Sequence, residues 1–409
     1  MKIKFFYLIL GLSTLTLTSC NGQNSNATKN TSQPKSKNIA SNFVSGKDYV
    51  EFKRARVLDK IGFSKPVEAY SILTPSNWKF SGDILWNAPG TSCAGNYVSI
   101  KSVSPDGKYS FEMMPDVLWS YFEDPQLDQF ARQQQHTQSC NYAQPMNAMN
   151  YFKKVFVPNE LGNPQIIEVK ENQKAQQILA EKAEKNRLKM MQYNLGQIQN
   201  YTSCITGTVR WSDKEEALII CGVMIGETTV FNQYDGTSAK NYITFITERI
   251  VFKYPVGEKE KATNMLAVMM GSIRTNTAWK ESVDDFWEKV RMQNHIIHLG
   301  KIKMIDDQTA QMGRDIINKG QQNLNAMDAN MRSWEAKQQS QDRMHTNFIK
   351  TIREVENYSD ATGKVELVSG YNHAWSRSDG SSFIMSDNPN FDPSSVFQDQ
   401  QWKEMRKVD

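Results

Sequence analysis

Tyr201-Thr-Ser-Cys-Ile-Thr-Gly-Thr-Val-Arg-Trp211, then Ser212-Asp213-Lys214-Glu215, then Glu216-Ala-Leu-Ile-Ile-Cys-Gly-Val-Met-Ile225, is the stretch that decides the fold. Ile205, Val209 and Trp211 alternate with Thr206, Thr208 and Arg210, which is the period of a strand, and residues 216–225 read as a second strand. The four polar residues between them suit a turn, so the two strands should pair antiparallel. Cys204 and Cys221 are symmetric about a point inside that turn. The expectation is that their thiols face each other within disulfide reach.

The flanking sequence extends this into a sheet. Ala69 to Trp78 reads as a strand ended by a Pro75 turn. Tyr97 to Val103 alternates up to the turn Ser104-Pro105-Asp106-Gly107, with Tyr109 to Met113 as its hairpin partner. A helix is expected near 145–155, and another from Glu171 to Tyr193, where Ala, Lys, Glu, Gln, Leu and Met run without Pro or Gly. Strands are expected around Thr228–Tyr234 and Tyr242–Tyr254, then a helix from Glu258 to about Ile273. Strands and helices intermingle without a repeated βαβ unit, so residues 46–280 predict an α+β domain, a mostly antiparallel sheet backed by helices.

Residues 281–355 predict a long helix or helix pair with a narrow heptad-like stripe: Ile317, Leu324 and Met331, Met327 and Trp334, then Phe348, Ile352 and Val355. Packing back on the sheet is the plainer reading of that stripe, and self-association the alternative. Residues 356–409 predict a small aromatic β unit. Val365–Val368 is a strand, and Tyr371–Arg377 with Ser382–Ser386 is a hairpin whose Asp379-Gly380 suits a type I′ turn. Trp375, Phe383, Phe391 and Trp402 supply its core.

The chain has 409 residues, enough for two or three structural units. Its hydrophobic fraction of 39% and mean hydropathy of −0.58 exclude a polytopic membrane protein. The formal charge of +4 falls to +2 without Lys2 and Lys4, which implies neither nucleic acid nor an anionic membrane surface as partner. Residues 1–19 read as a signal peptide: a Met-Lys-Ile-Lys start, an apolar run from Phe5 to Leu17, then small residues. Leu17-Thr18-Ser19-Cys20 resembles the lipobox of bacterial lipoproteins, in which the Cys is acylated and becomes the first mature residue.

That resemblance implies lipidation of Cys20, palmitate among the acyl groups, and a lipid bilayer as the first partner. Residues 20–45, rich in Asn, Ser, Thr and Lys, would form a flexible lipid-anchored tether. No acidic run follows Cys20, so the expected location is the cell envelope, at the outer membrane facing the periplasm. In that oxidising compartment Cys93 and Cys140 would form a second disulfide by exclusion.

Tyr70 to Trp78, together with Gly271-Ser-Ile-Arg-Thr-Asn-Thr-Ala-Trp279, resembles the first strand and last helix of PsbP-like α+β domains. Val365 to Trp375 and Ser386 to Pro393, with Ser104–Gly107 and Pro145–Ala148, are similar to a group of uncharacterised exported bacterial proteins. Neither resemblance implies an activity.

Gly-x-Ser-x-Gly, Walker, His-Glu-x-x-His and Gly-x-Gly-x-x-Gly motifs are absent, and no metal or cofactor is implied. His295 and His298 share a helix face but sit in apolar company. Asn388-x-Asn390-x-Asp392 starts like a calcium loop, yet Pro393 stands where such a loop needs Gly, so a turn with local Asx bonds is expected. The remaining cluster is Tyr371, His373, Trp375 and Asp387. It could line a ligand groove, with Asp387 orienting His373, or plug the tail onto the sheet. The expected function is a non-enzymatic, membrane-tethered periplasmic lipoprotein acting in binding or assembly, with an envelope protein as partner. The alternative is a cell-envelope hydrolase with its site between the α+β domain and the C-terminal tail.

Overall fold

A computed structural model describes residues 43–89, 93–134, 141–191, 197–231 and 238–298. In the last part of the chain it describes 347, 349–350, 356–359, 366–378, 380–397 and 402–408. Five strands come first: β1 (Val50–Asp59), β2 (Val67–Pro75), β3 (Lys79–Asn87), β4 (Gly95–Val103) and β5 (Ser110–Met113). The Ser104–Gly107 turn joins β4 to β5 as its sequence predicts: the Gly107 N–H reaches the Ser104 carbonyl at 2.9 Å, with Gly107 at φ +71°. There follow β6 (Val117–Phe122), α1 (Pro125–Gln134), β7 (Asn141–Tyr142) and a short α2 (Ala148–Tyr151).

Instead of ending, α2 widens into a π-helix over Phe152–Glu160. Pro158 inside it has no N–H for an α ladder, which favours the looser winding. After β8 (Gln165–Glu171) comes α3 (Gln173–Met191), within the helix expected from composition.

Three long strands form the centre: β9 (Gln197–Ser212), β10 (Glu215–Phe231) and β11 (Ser238–Pro255). The chain continues with α4 (Lys259–Gly271), β12 (Arg274–Thr275) and α5 (Thr277–His298). It closes with β13 (Glu356–Ser359), β14 (Glu366–Ser369), β15 (His373–Arg377), β16 (Ser382–Ser386), β17 (Trp402–Glu404) and β18 (Arg406–Val408).

The fold is mixed α+β with a large, mostly antiparallel sheet. Its main path runs β17-β15-β16-β1-β3-β4-β5-β11-β10-β9-β8, and β13, β14 and β18 form a separate small sheet. Apolar residues fill both faces. On one, α3 and α4 cover Cys204, Ile220, Ile250 and Phe252; on the other, the π-helix places Phe152, Phe156 and Val157 over Ile205, Val209, Cys221 and Ile246. Gly222 lets α3 approach, since a Cβ there would lie 2.7 Å from Leu179 Cδ1.

One expected boundary moves. Residue 280 falls inside α5, so no domain ends there. The tail hairpin joins the main sheet. β16 pairs with β1 from Val50↔Met385 to Lys53↔Ser382, and β15 and β17 extend the sheet beyond it. β1 had an unused edge, and the tail hairpin is the strand pair that fills it. Gly380 has φ +70° in the β15–β16 turn, while Asp379 lies outside the described residues. The same holds for Ile317, Leu324, Met327, Met331, Trp334, Phe348, Ile352 and Val355 of the expected stripe.

Candidate binding surface

The tail cluster is split rather than convergent. His373 and Trp375 do share a face of β15, with rings stacked at 5.8 Å, but Trp375 is 9% exposed and also packs edge-on against Phe391. Tyr371 is 6% exposed and belongs to the main core, on the other side of the strand. Asp387 does not orient His373: its Oδ1 accepts the Asn372 N–H at 2.9 Å, and the imidazole faces Glu404 of β17 at 3.6 Å. Tyr371 and Trp375 are thus used in packing, in two different clusters. Asn388 and Asp392 cap their own turns through the amides of Asn390 and Ser394 at 3.0 and 2.9 Å, the local Asx pattern.

The Cys204–Cys221 disulfide is corrected. Both thiols are free and buried, and they lie on opposite faces of the sheet, Cys204 under α3 and Cys221 under the π-helix. The register explains it. A bulge between Glu215 and Glu216 slips the β9–β10 pairing by one residue, so Cys221 opposes Ile205 and Cys204 opposes Gly222. A slip of one turns a side chain to the other face. Burial pushes both thiols well above the usual thiol range, so neither forms a reactive thiolate. Cys93 is disulfide-bonded, and Cys140 lies outside the described residues.

The native protein should therefore leave Cys204 and Cys221 unmodified by an alkylating reagent. After denaturation without reductant both should label. A peptide map containing a Cys204–Cys221 cross-link would contradict the register.

Beyond Thr244, the sheet face under the π-helix carries a row of tyrosines. Tyr242 on β11 sits directly opposite Tyr121 on β6, rings 6.2 Å apart; the buried Tyr142 on β7, in register with Ser120, lies 5.9 Å from Tyr121 at the edge of the row. Tyr201 on β9 lies on the same face with β10 between it and Tyr242, and is 43% exposed. Carboxylates hold the rings by their hydroxyls. Tyr242 donates to Glu123 at 2.8 Å, Tyr201 to Glu227 at 3.4 Å and Tyr142 to Asp128 at 2.8 Å. Glu227, 7% exposed, also pairs with Lys240 at 3.0 Å, and Arg132 lies over the Tyr142 ring. Burial first, then Glu123, raises the Tyr242 phenol far above its ordinary range, so it stays a neutral donor. Rings pinned at both ends of their polar contacts lose little freedom on contact with a ligand.

A second polar group lies at a bulge in β11. Gly222 pairs with Thr247 and Ile220 with Ile250, so Glu248 and Arg249 together oppose Cys221, and Glu248 takes φ +55°. The bulge turns Arg249 toward the π-helix. There it pairs with Glu160, donates to the Pro115 carbonyl and stands 5.4 Å over Phe156, while Tyr151 donates to Glu160 at 2.6 Å. Asp116, between β5 and β6, is held by Thr247. Burial raises its carboxyl to about 6 and Glu248 adds to this, against the pull of Lys182 and Arg249.

Sequence reading reached neither group, because Asp116, Glu160 and Arg249 meet only through long-range pairing and a one-residue bulge. The signal that could have pointed there is Glu248-Arg249 interrupting the apolar run of β11. Among the described residues no cluster of three or more His, Cys, Asp or Glu could hold a metal. The side chains of His295 and His298 are not among those described. No family model, no curated protein and no solved structure matches this chain.

Proposed function

We propose that this protein is a membrane-tethered periplasmic lipoprotein, anchored in the outer membrane through acylated Cys20, and that it serves as a binding or assembly module for an envelope protein. The reading rests on the tyrosine row. Three rings on one sheet face, Tyr121, Tyr201 and Tyr242, two of them held by carboxylates, make a pre-formed contact surface. Aromatic anchors of this kind dominate binding energy at interfaces. The segment 281–355, as a long helix or helix pair, would be a second assembly element, and the Cys93–Cys140 bridge a staple of the exported form. The hydrolase alternative loses support, since the tail residues it relies on are used in packing and His373 faces Glu404 instead of Asp387.

The test is cross-linking of the tagged full-length protein in intact cells, compared with the Tyr201→Ala, Tyr242→Ala double variant. Loss of at least about ten-fold in cross-linked product, with unchanged melting, is expected. Equal product from both forms would remove the row from the function. A Cys20→Ser variant should leave the membrane fraction, and retention there would overturn the anchor.

A further inference from the structure

Among the described residues six tyrosine hydroxyls donate to a carboxylate, and in five of these pairs a cation of the chain holds the same carboxylate. Lys261 pairs with Glu258, the acceptor of Tyr109, at 3.6 Å; Arg132 with Asp128, the acceptor of Tyr142, at 3.0 Å; and Lys240 with Glu227, the acceptor of Tyr201, at 3.0 Å. Arg249 does the same for Glu160 and Tyr151, and Arg210 for Glu216 and Tyr254. The chemistry of the carboxylate explains the pattern: its two oxygens offer about four acceptor positions, and a phenol uses one. The sixth pair is Tyr242 with Glu123, at 2.8 Å, and among the described residues no cation pairs with Glu123.

That exception lies on the tyrosine face. Tyr121, Tyr242, Glu227 and Gln199 stand in register across β6, β11, β10 and β9, and Glu123 and Lys240 occupy the next rank outward. The charged groups of these ranks are two carboxylates and one ammonium, and Lys240 bonds Glu227, which leaves Glu123 in excess. Residues 232–237, which join β10 to β11 beside Lys240, include no Lys, Arg or His. Glu123 is exposed, whereas Glu216 and Glu227 are buried, so Glu123 is open to a second molecule. At the edge of the same face the chain shows the completed arrangement. Arg132 Nε lies 3.1 and 3.0 Å from the two Asp128 oxygens, and its guanidinium sits 5.6 Å over the Tyr142 ring, whose hydroxyl donates to that carboxylate. A planar guanidinium can pair with a carboxylate and lie on an aromatic face at once.

We infer that Tyr121, Tyr242 and Glu123 seat an arginine side chain of the partner protein, its guanidinium paired with the Glu123 carboxylate and laid against the two rings. Lysine would bring the charge without the flat fork that pairs and stacks together. The inference rests on the binding-module reading and names the side chain by which the partner is held at this face.

A displayed library of random peptides, selected against the full-length protein in detergent with Glu123→Gln as counter-target, tests it. Gln keeps an acceptor for the Tyr242 hydroxyl and removes the charge, so both forms should melt alike. Enriched peptides should carry an essential arginine. Remade with citrulline, its uncharged isostere, at that position, they should bind wild type at least about ten-fold more weakly. On Glu123→Gln the same exchange should cost less than about two-fold, the coupling that identifies a direct pair. Equal losses on the two forms, enriched peptides without arginine, or no enrichment would overturn the seat. In intact cells, cross-linked product that survives Glu123→Gln but is lost in the Tyr201→Ala, Tyr242→Ala variant would overturn the seat and leave the binding module standing. Product that survives in both would overturn both.

Discussion

Replacing Asp116 with Asn should stabilise the protein at pH 7.5 by about 2–3 kcal/mol and flatten its stability between pH 4 and pH 7. The carboxyl is raised from 3.8 to about 6 in the folded chain, chiefly by burial. The folded state therefore holds a proton more tightly than the unfolded one. Above pH 6 the fold carries an ionised group it disfavours; as pH falls from 6 toward 3.8 that penalty disappears and stability rises. Asn keeps an acceptor for Thr247 and carries no charge at any pH. Lowered carboxyls such as Asp106 and Glu168 act in the opposite sense, so the informative quantity is the difference between variant and wild type. Urea titrations at several pH values measure it. A variant less stable than wild type at pH 7.5, or parallel pH profiles, would show that the Lys182 and Arg249 contacts outweigh burial.

The location of this penalty is informative about the fold. β5 and β6 both pair with β11, β5 over Ile250–Lys253 and β6 over Asn241–Ile246, and the bulge at Thr247–Arg249 fills the step between them. Pro115, which has no N–H to place in a ladder, sits at that step. Periodicity showed β9 and β11 as strands because alternation is local, and split the single β10 into 216–225 and Thr228–Tyr234. It did not show the register, since one residue at Glu215/Glu216 decides which face each cysteine takes, and a bulge leaves no periodic trace. The tail hairpin was legible from its alternation and Gly380. Its insertion beside β1 was not, because that pairing joins residues more than three hundred positions apart. Similarly, Tyr121, Tyr201 and Tyr242 stand far apart in the sequence, and only the strand order brings them to one face.

The second large effect is expected at Asp59, which is fully buried at the end of β1. Its Oδ1 accepts the Ile61 and Gly62 amides at 3.1 and 2.8 Å; Trp86 Nε1 lies 3.1 Å from both oxygens, and Trp279 Nε1 donates to Oδ2 at 2.9 Å. One side chain thus ties β1 to β3, to the following loop and to α5. The packing is tight enough that a Cβ at Gly62 would lie 2.6 Å from the Trp86 ring and 2.7 Å from Asp59 Oδ2. Asp59→Ala leaves two indole and two backbone donors without their acceptor, at a cost of about 4 kcal/mol. Asp59→Asn should lose roughly half as much, because its single carbonyl oxygen keeps some of the donors and its NH₂ opposes the rest. A lower urea midpoint with an unchanged slope would identify lost native contacts as the cause. If both variants unfolded at the wild-type midpoint, Asp59 would be a passenger in a core held by apolar packing alone. The Asn variant keeps size and shape, so its loss measures the acceptor itself, separate from the cavity that Ala adds.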